Sequence, residues 1–313
     1  VKTFRGLAVA SAVLAFAIAI LGSWVRIEGA GMTCPDWPLC RGALIPSLEG
    51  GVVLEWTHRL CAFLEGFIIL GAIVSGWRCR KEIAGVSTAL GALAAIFVLQ
   101  VALGGITIFQ ANSPVSVMLH WGAAMLLLAT LTVLALLALL APSPDTAQRD
   151  RGENARVPIA LGIAAAFAFV TMCLGAFVSS SNYGLACVSF PACDSTMMGA
   201  GQAPQLLQML HRFAAESFGV VALIATFIAW SAAPRVRAFA LIGTGLVLLQ
   251  LFLGVANVMW QLPTALREAH AANAVATFLA FVIATALAVL DPYVGVQRVP
   301  RRTLGSRSVA RGL

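Results

Sequence analysis

The stretch EWTHRLCAFLEG, residues 55–66, decides how this chain is read. It sets a carboxylate, Glu55, three residues ahead of a histidine, His58, at the head of a long apolar run. An altered copy, QMLHRFAAESFG, follows at 208–219, where His211 stands for His58 and Gln208 for Glu55. The chain has four histidines in all, and the other two, His120 and His270, lie 150 residues apart as a second repeated pair.

The repeat extends outward from the quoted stretch. VRIEGAGMTCPDWPLC (25–40) lies over VSSSNYGLACVSFPAC (178–193) at an offset of 153 residues, and LQVALGGITI (99–108) over LQLFLGVANV (249–258) at an offset of 150. An internal period of this kind marks a duplicated architecture.

Composition says where that architecture lives. Hydrophobic residues make up 60% of the 313 and charged residues 11%, with mean hydropathy +0.92. A soluble domain needs a more polar surface than this. The net charge of +7 does not point to nucleic acid, because the basic residues fall at the ends of apolar runs, where they orient membrane helices. Eight runs are long enough to span, at about 6–25, 54–77, 83–108, 115–141, 157–179, 205–230, 235–258 and 267–290. The first reads as a spanning segment and not as a cleaved signal, since no small-residue cleavage site follows it and the repeat gives it a partner.

The expected fold is therefore an all-α membrane protein of eight transmembrane helices. Each copy holds an even number of them, so the copies share one orientation and form two four-helix bundles related by a pseudo-twofold axis along the membrane normal. The N-terminal half covers 1–141, a Pro- and Arg-containing linker 142–158, the C-terminal half 159–296 and a basic tail 297–313. Fifteen of the twenty Lys and Arg residues fall on one side, which sets both termini in the cytoplasm and the loops after helices 1, 3, 5 and 7 outside.

Two C-x5-C pairs, Cys34/Cys40 and Cys187/Cys193, sit in the first and third outer loops. On an oxidising side they suit disulfides that shape a loop; a redox-active thiol pair is the alternative. Cys61, Cys79 and Cys173 read as packing residues.

All four histidines fall in the first turns of inward-running helices, at one depth near the outer face. Ionisable groups inside a membrane are costly and are functional by default. Two imidazoles facing each other across a four-helix bundle suit a haem iron. Copper or zinc would bring further ligands at short spacing. Arg59 and Arg212, next to two of the histidines, are candidate partners for haem propionates, with snorkelling to the interface as the plain alternative. Gly104, Gly105 and Gly254 could leave room for a ring.

Glu55 lies one turn from His58 on the same helix face. It suits either a partner that holds the ring or a group that acts on substrate; helix-dipole preference for an N-terminal acid is the plain reading. Its neutral counterpart Gln208 suggests one reactive site and one electron-transfer site. Glu65 and Glu216 lie deeper, as proton-path groups or paired acids.

Taken together, TCPDWPLCRGALIP (33–46), EWTHR (55–59), the HW at 120–121, HRF (211–213) and the repeated C-x5-C resemble the heme A synthase family over about residues 5–290. The resemblance implies an enzyme that oxidises the C8 methyl of haem O to a formyl group by two hydroxylations, giving haem A for terminal oxidases. It implies that His58 and His120 hold the substrate haem, that His211 and His270 ligate a resident haem b, that Glu55 is the essential acid and that the cysteine pairs are outer-loop disulfides. It also implies a plasma-membrane location with the haem sites near the outer face. Candidate partners are then haem O itself, the haem O-making prenyltransferase, terminal-oxidase assembly factors and membrane lipid, with no nucleic acid. Two other classes fit part of the pattern: a quinol-linked di-haem b electron carrier, and a transporter with the histidines in a substrate path.

Overall fold

A computed structural model describes residues 1–140, 155–193 and 201–295. Among the described residues eight helices are long and apolar enough to cross a membrane. They are α1 (Lys2–Ile27), α2 (Gly51–Arg78), α3 (Val86–Phe109), α4 (Pro114–Leu140), α5 (Arg156–Ser180), α6 (Ala203–Ile228), α7 (Pro234–Met259) and α8 (Thr264–Gly295). A single 3-10 turn, Ala229–Ser231, extends α6. The chain is thus an all-α, multi-pass membrane protein, with helix boundaries within a few residues of those expected. The proposed hinge at 142–158 lies largely outside the described residues, as do the tail at 297–313 and Asp194–Ala200 after the second cysteine pair; α5 already begins at Arg156.

The helices form because each is an unbroken apolar run, and in lipid only a helix satisfies every backbone group internally. Proline stands in the first turn of α6 and α7, where its missing N–H is no loss. The four-residue connections after α3 and α7 turn through left-handed backbone at Ala111, Asn112, Gln261 and Leu262, the same two positions of each copy. Asn112 donates to the Gly31 carbonyl (2.8 Å) and Leu262 packs on Gly184, again equivalent positions.

Packing follows the sequence pairs. Within 1–140, α1 packs along α2 and α4, and α3 along α4, while α2 touches α3 only lightly; within 155–295, α5 packs along α6 and α8, and α7 along α8. The first four helices meet the last four through α4 on α5 and α8 and through α1 on α8. Accordingly α4 and α8 are the most buried helices. One apolar core runs from α4 through α5, α6 and α8, around Met125, Leu128, Phe218 and Phe281; a second joins α1, α2, α3 and α4 around Phe4, Ile69, Leu93 and Leu131. Large apolar side chains such as Phe63, Phe67, Leu70 and Phe227 stay exposed, as lipid-facing residues do.

Candidate functional site

Each histidine lies against a glycine of the preceding helix. A Cβ built on Gly22 in α1 would stand 2.8 Å from His58 Cε1, and one on Gly175 in α5 2.8 Å from His211 Cε1. Gly104 in α3 and Gly254 in α7 face His120 and His270 at 3.2 and 3.4 Å. The absence of a side chain lets every imidazole bring its Cε1 edge close to a neighbouring backbone. Gly104 and Gly254, two of the glycines singled out in the sequence, thus make room for an imidazole. Gly105 instead packs on the Trp37 indole, 3.4 Å from where its Cβ would be. Sequence reasoning missed Gly22 and Gly175, although the repeat carries the signal: ILGSWV (20–25) lies over CLGAFV (173–178).

The histidines lie deeper than their expected place in the first helical turn. They are the seventh to ninth residues of their helices, because these start earlier, at Gly51, Pro114, Ala203 and Thr264. At 1.5 Å per residue this sets all four about 10–13 Å down the helix. They interact in pairs, His58 with His120 and His211 with His270. Every Nδ1 is sealed and lacks a formed hydrogen bond, while the rings are only half-buried, so the Nε2 edge is the accessible one. The backbone carbonyls of Ile18, Gln100 and Thr171, each four residues before its glycine, approach the rings of His58, His120 and His211 without completing a bond. An imidazole with its Nε2 edge free, and at three of the four a carbonyl near the ring, is a donor that suits a haem iron.

Above each pair lies a disulfide loop, Cys34–Cys40 in one copy and Cys187–Cys193 in the other. Glu55 is buried beneath the first. Its Oε2 accepts from Thr33 Oγ1 and the Cys34 N–H, both at 2.8 Å, and its Oε1 pairs with Arg59 Nη2 at 2.6 Å. Gln208 holds the second loop in the same way: its Oε1 accepts the Cys187 N–H, and its Nε2 donates to the Gly184 carbonyl at 2.7 Å. Glu55 and Gln208 therefore share a clamping task, and their difference is one of charge rather than of presence against absence.

The arginines take a role that neither sequence reading gave them. Arg59 donates to the carbonyls of Cys34, Asp36 and Leu39, and Arg212 to those of Cys187, Ser189 and Pro191. Both terminal nitrogens of each guanidinium thus bond the loop: five rigidly forked donors suit a cage of carbonyls as well as a carboxylate. Asp36 closes the first loop by accepting the N–H groups of Gly42 and Arg41, and these hold its carboxyl below the ordinary aspartate range. Of the remaining acids, Glu65 is buried with neither oxygen partnered, whereas Glu216 is exposed. Cys79 is a buried packing residue, as expected, and Cys61 and Cys173 are half-buried.

Eight spanning helices with two glycine-backed imidazole pairs under two stapled loops define a multi-pass membrane protein with a duplicated site. The chain matches the family model described as COX15-CtaA, cytochrome oxidase assembly protein, over residues 5–52 and 48–282, and it belongs to that family. It is 28% identical over 277 residues to a heme A synthase of Bacillus licheniformis, covering 86% of this chain and 91% of the relative. It is similarly 29% identical to one of Geobacillus kaustophilus, covering 86% of each, and 26% identical to one of Bacillus pumilus, covering 85% and 89%.

Proposed function

We propose that this protein is a heme A synthase, an oxidoreductase that converts the C8 methyl of haem O to a formyl group in two successive oxidations. The observation that carries the reading is the duplicated glycine–histidine pair, in a chain of this family. His58 and His120 hold the substrate haem in the N-terminal half, 1–141. His211 and His270 hold a resident haem b in the C-terminal half, 159–296, and the two bundles are related by a pseudo-twofold axis. When bound, haem b supplies a one-electron relay for the electrons withdrawn from the methyl group.

The chain's own residues position and stabilise. The glycines at 22 and 104 and the imidazoles fix the substrate ring, so that binding energy is spent on orientation. Each oxidation withdraws two electrons and a proton, the electrons passing on to an acceptor outside the protein; one water then adds and a second proton leaves, so that the ring methyl becomes an alcohol by way of a positive charge beside the macrocycle. Glu55, one turn from His58, supplies the negative charge that stabilises it, and the Thr33, Cys34 and Arg59 contacts keep its carboxylate in one place. After two rounds the geminal diol loses water to the aldehyde. The disulfide loops cap the two sites on the outer face, with both termini cytoplasmic.

The quinol-linked di-haem carrier uses the same four histidines, and the shared clamping by Glu55 and Gln208 is compatible with it. Feeding haem O to the purified protein separates the two: an enzyme yields haem A by mass, and a carrier returns haem O unchanged.

A further inference from the structure

The helices that carry the quoted repeat bury matching stripes. Glu55, His58, Glu65 and Ile69 of α2 correspond to Gln208, His211, Phe218 and Ala222 of α6. Inside the bundle one position changes character. Seven residues after the histidine, a carboxyl stands in one copy and a phenyl ring in the other. Phe218 packs edge-on against Phe281, with ring centroids 5.8 Å apart. Glu65 is 4% exposed, and neither of its oxygens has a hydrogen-bond partner.

The neighbouring helix repeats the contrast. Gly66 faces Phe97 of α3, 3.2 Å from where its Cβ would be, and Gln100 lies one turn further along α3 toward Gly104 and His120. The Oε1 of Gln100 is also buried without a partner. Its counterpart Gln250 accepts from Asn273 Nδ2 at 2.7 Å, and the first copy has Ala123 where Asn273 stands. A buried polar atom with no partner costs stability. At these positions the C-terminal copy avoids that cost with a phenyl pair and an Asn–Gln bond, while the N-terminal copy retains it at Glu65 of α2 and Gln100 of α3.

We propose that Glu65 binds the hydroxyl group carried by the haem of the N-terminal half and so selects which haem enters that half. This rests on the function proposed above. Haem O differs from protohaem by a hydroxyl-bearing prenyl substituent, and both carry the same propionates. A protein that takes both must tell them apart, yet the two halves present the same imidazole pair and the same glycine backing. The discriminating group must therefore lie around the ring. Glu65 is on the face of α2 that carries His58, two turns or about 10 Å further along. Helical side chains lean toward their own N-terminus, so Glu65 leans back toward His58. A substrate hydroxyl gives the unpartnered Glu65 carboxyl a hydrogen-bond partner, whereas a haem without one leaves it unpaired, and that penalty is the stronger source of selection. Phe218 offers no polar atom, in keeping with the unhydroxylated ring.

The test uses the full-length protein titrated with haem O, with protohaem and with haematohaem, which carries hydroxyethyl groups and no prenyl tail. Bound haem is read by optical spectrum and by extraction. The site that depends on His58 is expected to prefer both hydroxylated haems to protohaem by roughly tenfold or more. Glu65→Phe and Glu65→Leu are each expected to remove that preference, and Glu65→Gln to retain it, with haem at His211 and His270 the same throughout. An unchanged preference in folded Glu65→Leu overturns the proposal, even if turnover is lost, since loss of turnover alone assigns Glu65 to proton handling. Should His58→Ala bind haem O normally, the assignment of the halves fails, and this proposal with it.

Discussion

Arg59 Nη2 lies 2.6 Å from Glu55 Oε1, and the same guanidinium reaches three backbone carbonyls of the Cys34–Cys40 loop. Both partners lie on the helix turn that carries His58, and each also bonds the loop, Glu55 through Thr33 and Cys34 and Arg59 through the three carbonyls, so together they tie the loop to that turn. Arg212 makes the matching carbonyl contacts without a carboxylate, because Gln208 stands where Glu55 does. The second copy shows that the clamp works with an amide, so the negative charge of Glu55 answers to something besides loop structure.

Glu55→Gln therefore separates charge from clamping. Its amide oxygen can accept the Cys34 N–H as Gln208 accepts that of Cys187, so the loop and haem content should survive. Haem A formation should fall by about 10²-fold or more, the scale of a lost acid–base or electrostatic contribution. Glu55→Ala should do worse, because it also removes the acceptor of the Thr33 hydroxyl and of the buried Cys34 N–H, at a cost of ~1–3 kcal/mol. Extraction of total haem and chromatography of the haem O to haem A ratio reads both effects. Normal conversion by the glutamine variant would reduce Glu55 to a loop clamp.

The glycine contacts give a graded expectation. Alanine at Gly22 or Gly175 would set a methyl 2.8 Å from an imidazole carbon, a separation that real Cβ atoms do not show, whereas Gly104 and Gly254 leave 3.2 and 3.4 Å. Gly22→Ala and Gly175→Ala should each displace the ring and lose haem from their own half. Gly104→Ala should weaken binding, and Gly254→Ala should be mildest. Haem-to-protein ratios for the four purified variants test the order. Equal losses at all four positions would mean that ring contact is not what the glycines provide.

What the sequence made legible was set by periodicity and duplication. Eight apolar runs gave eight helices, and the repeated histidines and cysteines appear in the structure as glycine-backed imidazoles and bonded loops. Side-chain partners were less legible. Arg59 beside His58 invites a propionate, but its acceptors are backbone carbonyls at 34, 36 and 39, and carbonyls leave no trace in residue identity. Gly22 and Gly175 were hidden for a related reason: a glycine in an apolar helix is common, and only the register between α1 and α2 shows which one faces a histidine. The difference between Glu65 and Phe218 needed burial and hydrogen-bond partners before it meant anything.

The second loop offers a test of how clamp and staple combine. A disulfide closing so short a loop is worth about 2–3 kcal/mol by chain entropy. Arg212 holds the same loop through the carbonyls of Cys187, Ser189 and Pro191. Replacing Cys187 and Cys193 by serine should lower the thermal midpoint of the detergent-solubilised protein and leave the loop seated. Arg212→Lys removes the forked donor while keeping the charge, and it should also be tolerated alone. Together the changes should cost more than their sum, because each constraint covers for the other. Strict additivity in thermal unfolding would show that the two constraints act on separate parts of the loop.

The last expectation concerns the independence of the two imidazole pairs. His211 and His270 interact with each other, as do His58 and His120, and each ring is backed by a glycine of its own half. Losing one ligand should therefore empty one half and spare the other. His211→Ala should lose the low-spin haem b spectrum of the resting protein, and with it multiple turnover, since the electrons withdrawn from the methyl would have no relay. His58→Ala should keep that spectrum and fail to retain added haem O. Optical spectra before and after haem O addition, with extracted haem identified by mass, distinguish the four combinations. If His58→Ala lost the resting spectrum and His211→Ala kept it, the roles of the two halves would be exchanged, and Glu55 would then sit beside the relay rather than beside the methyl group it is proposed to act on.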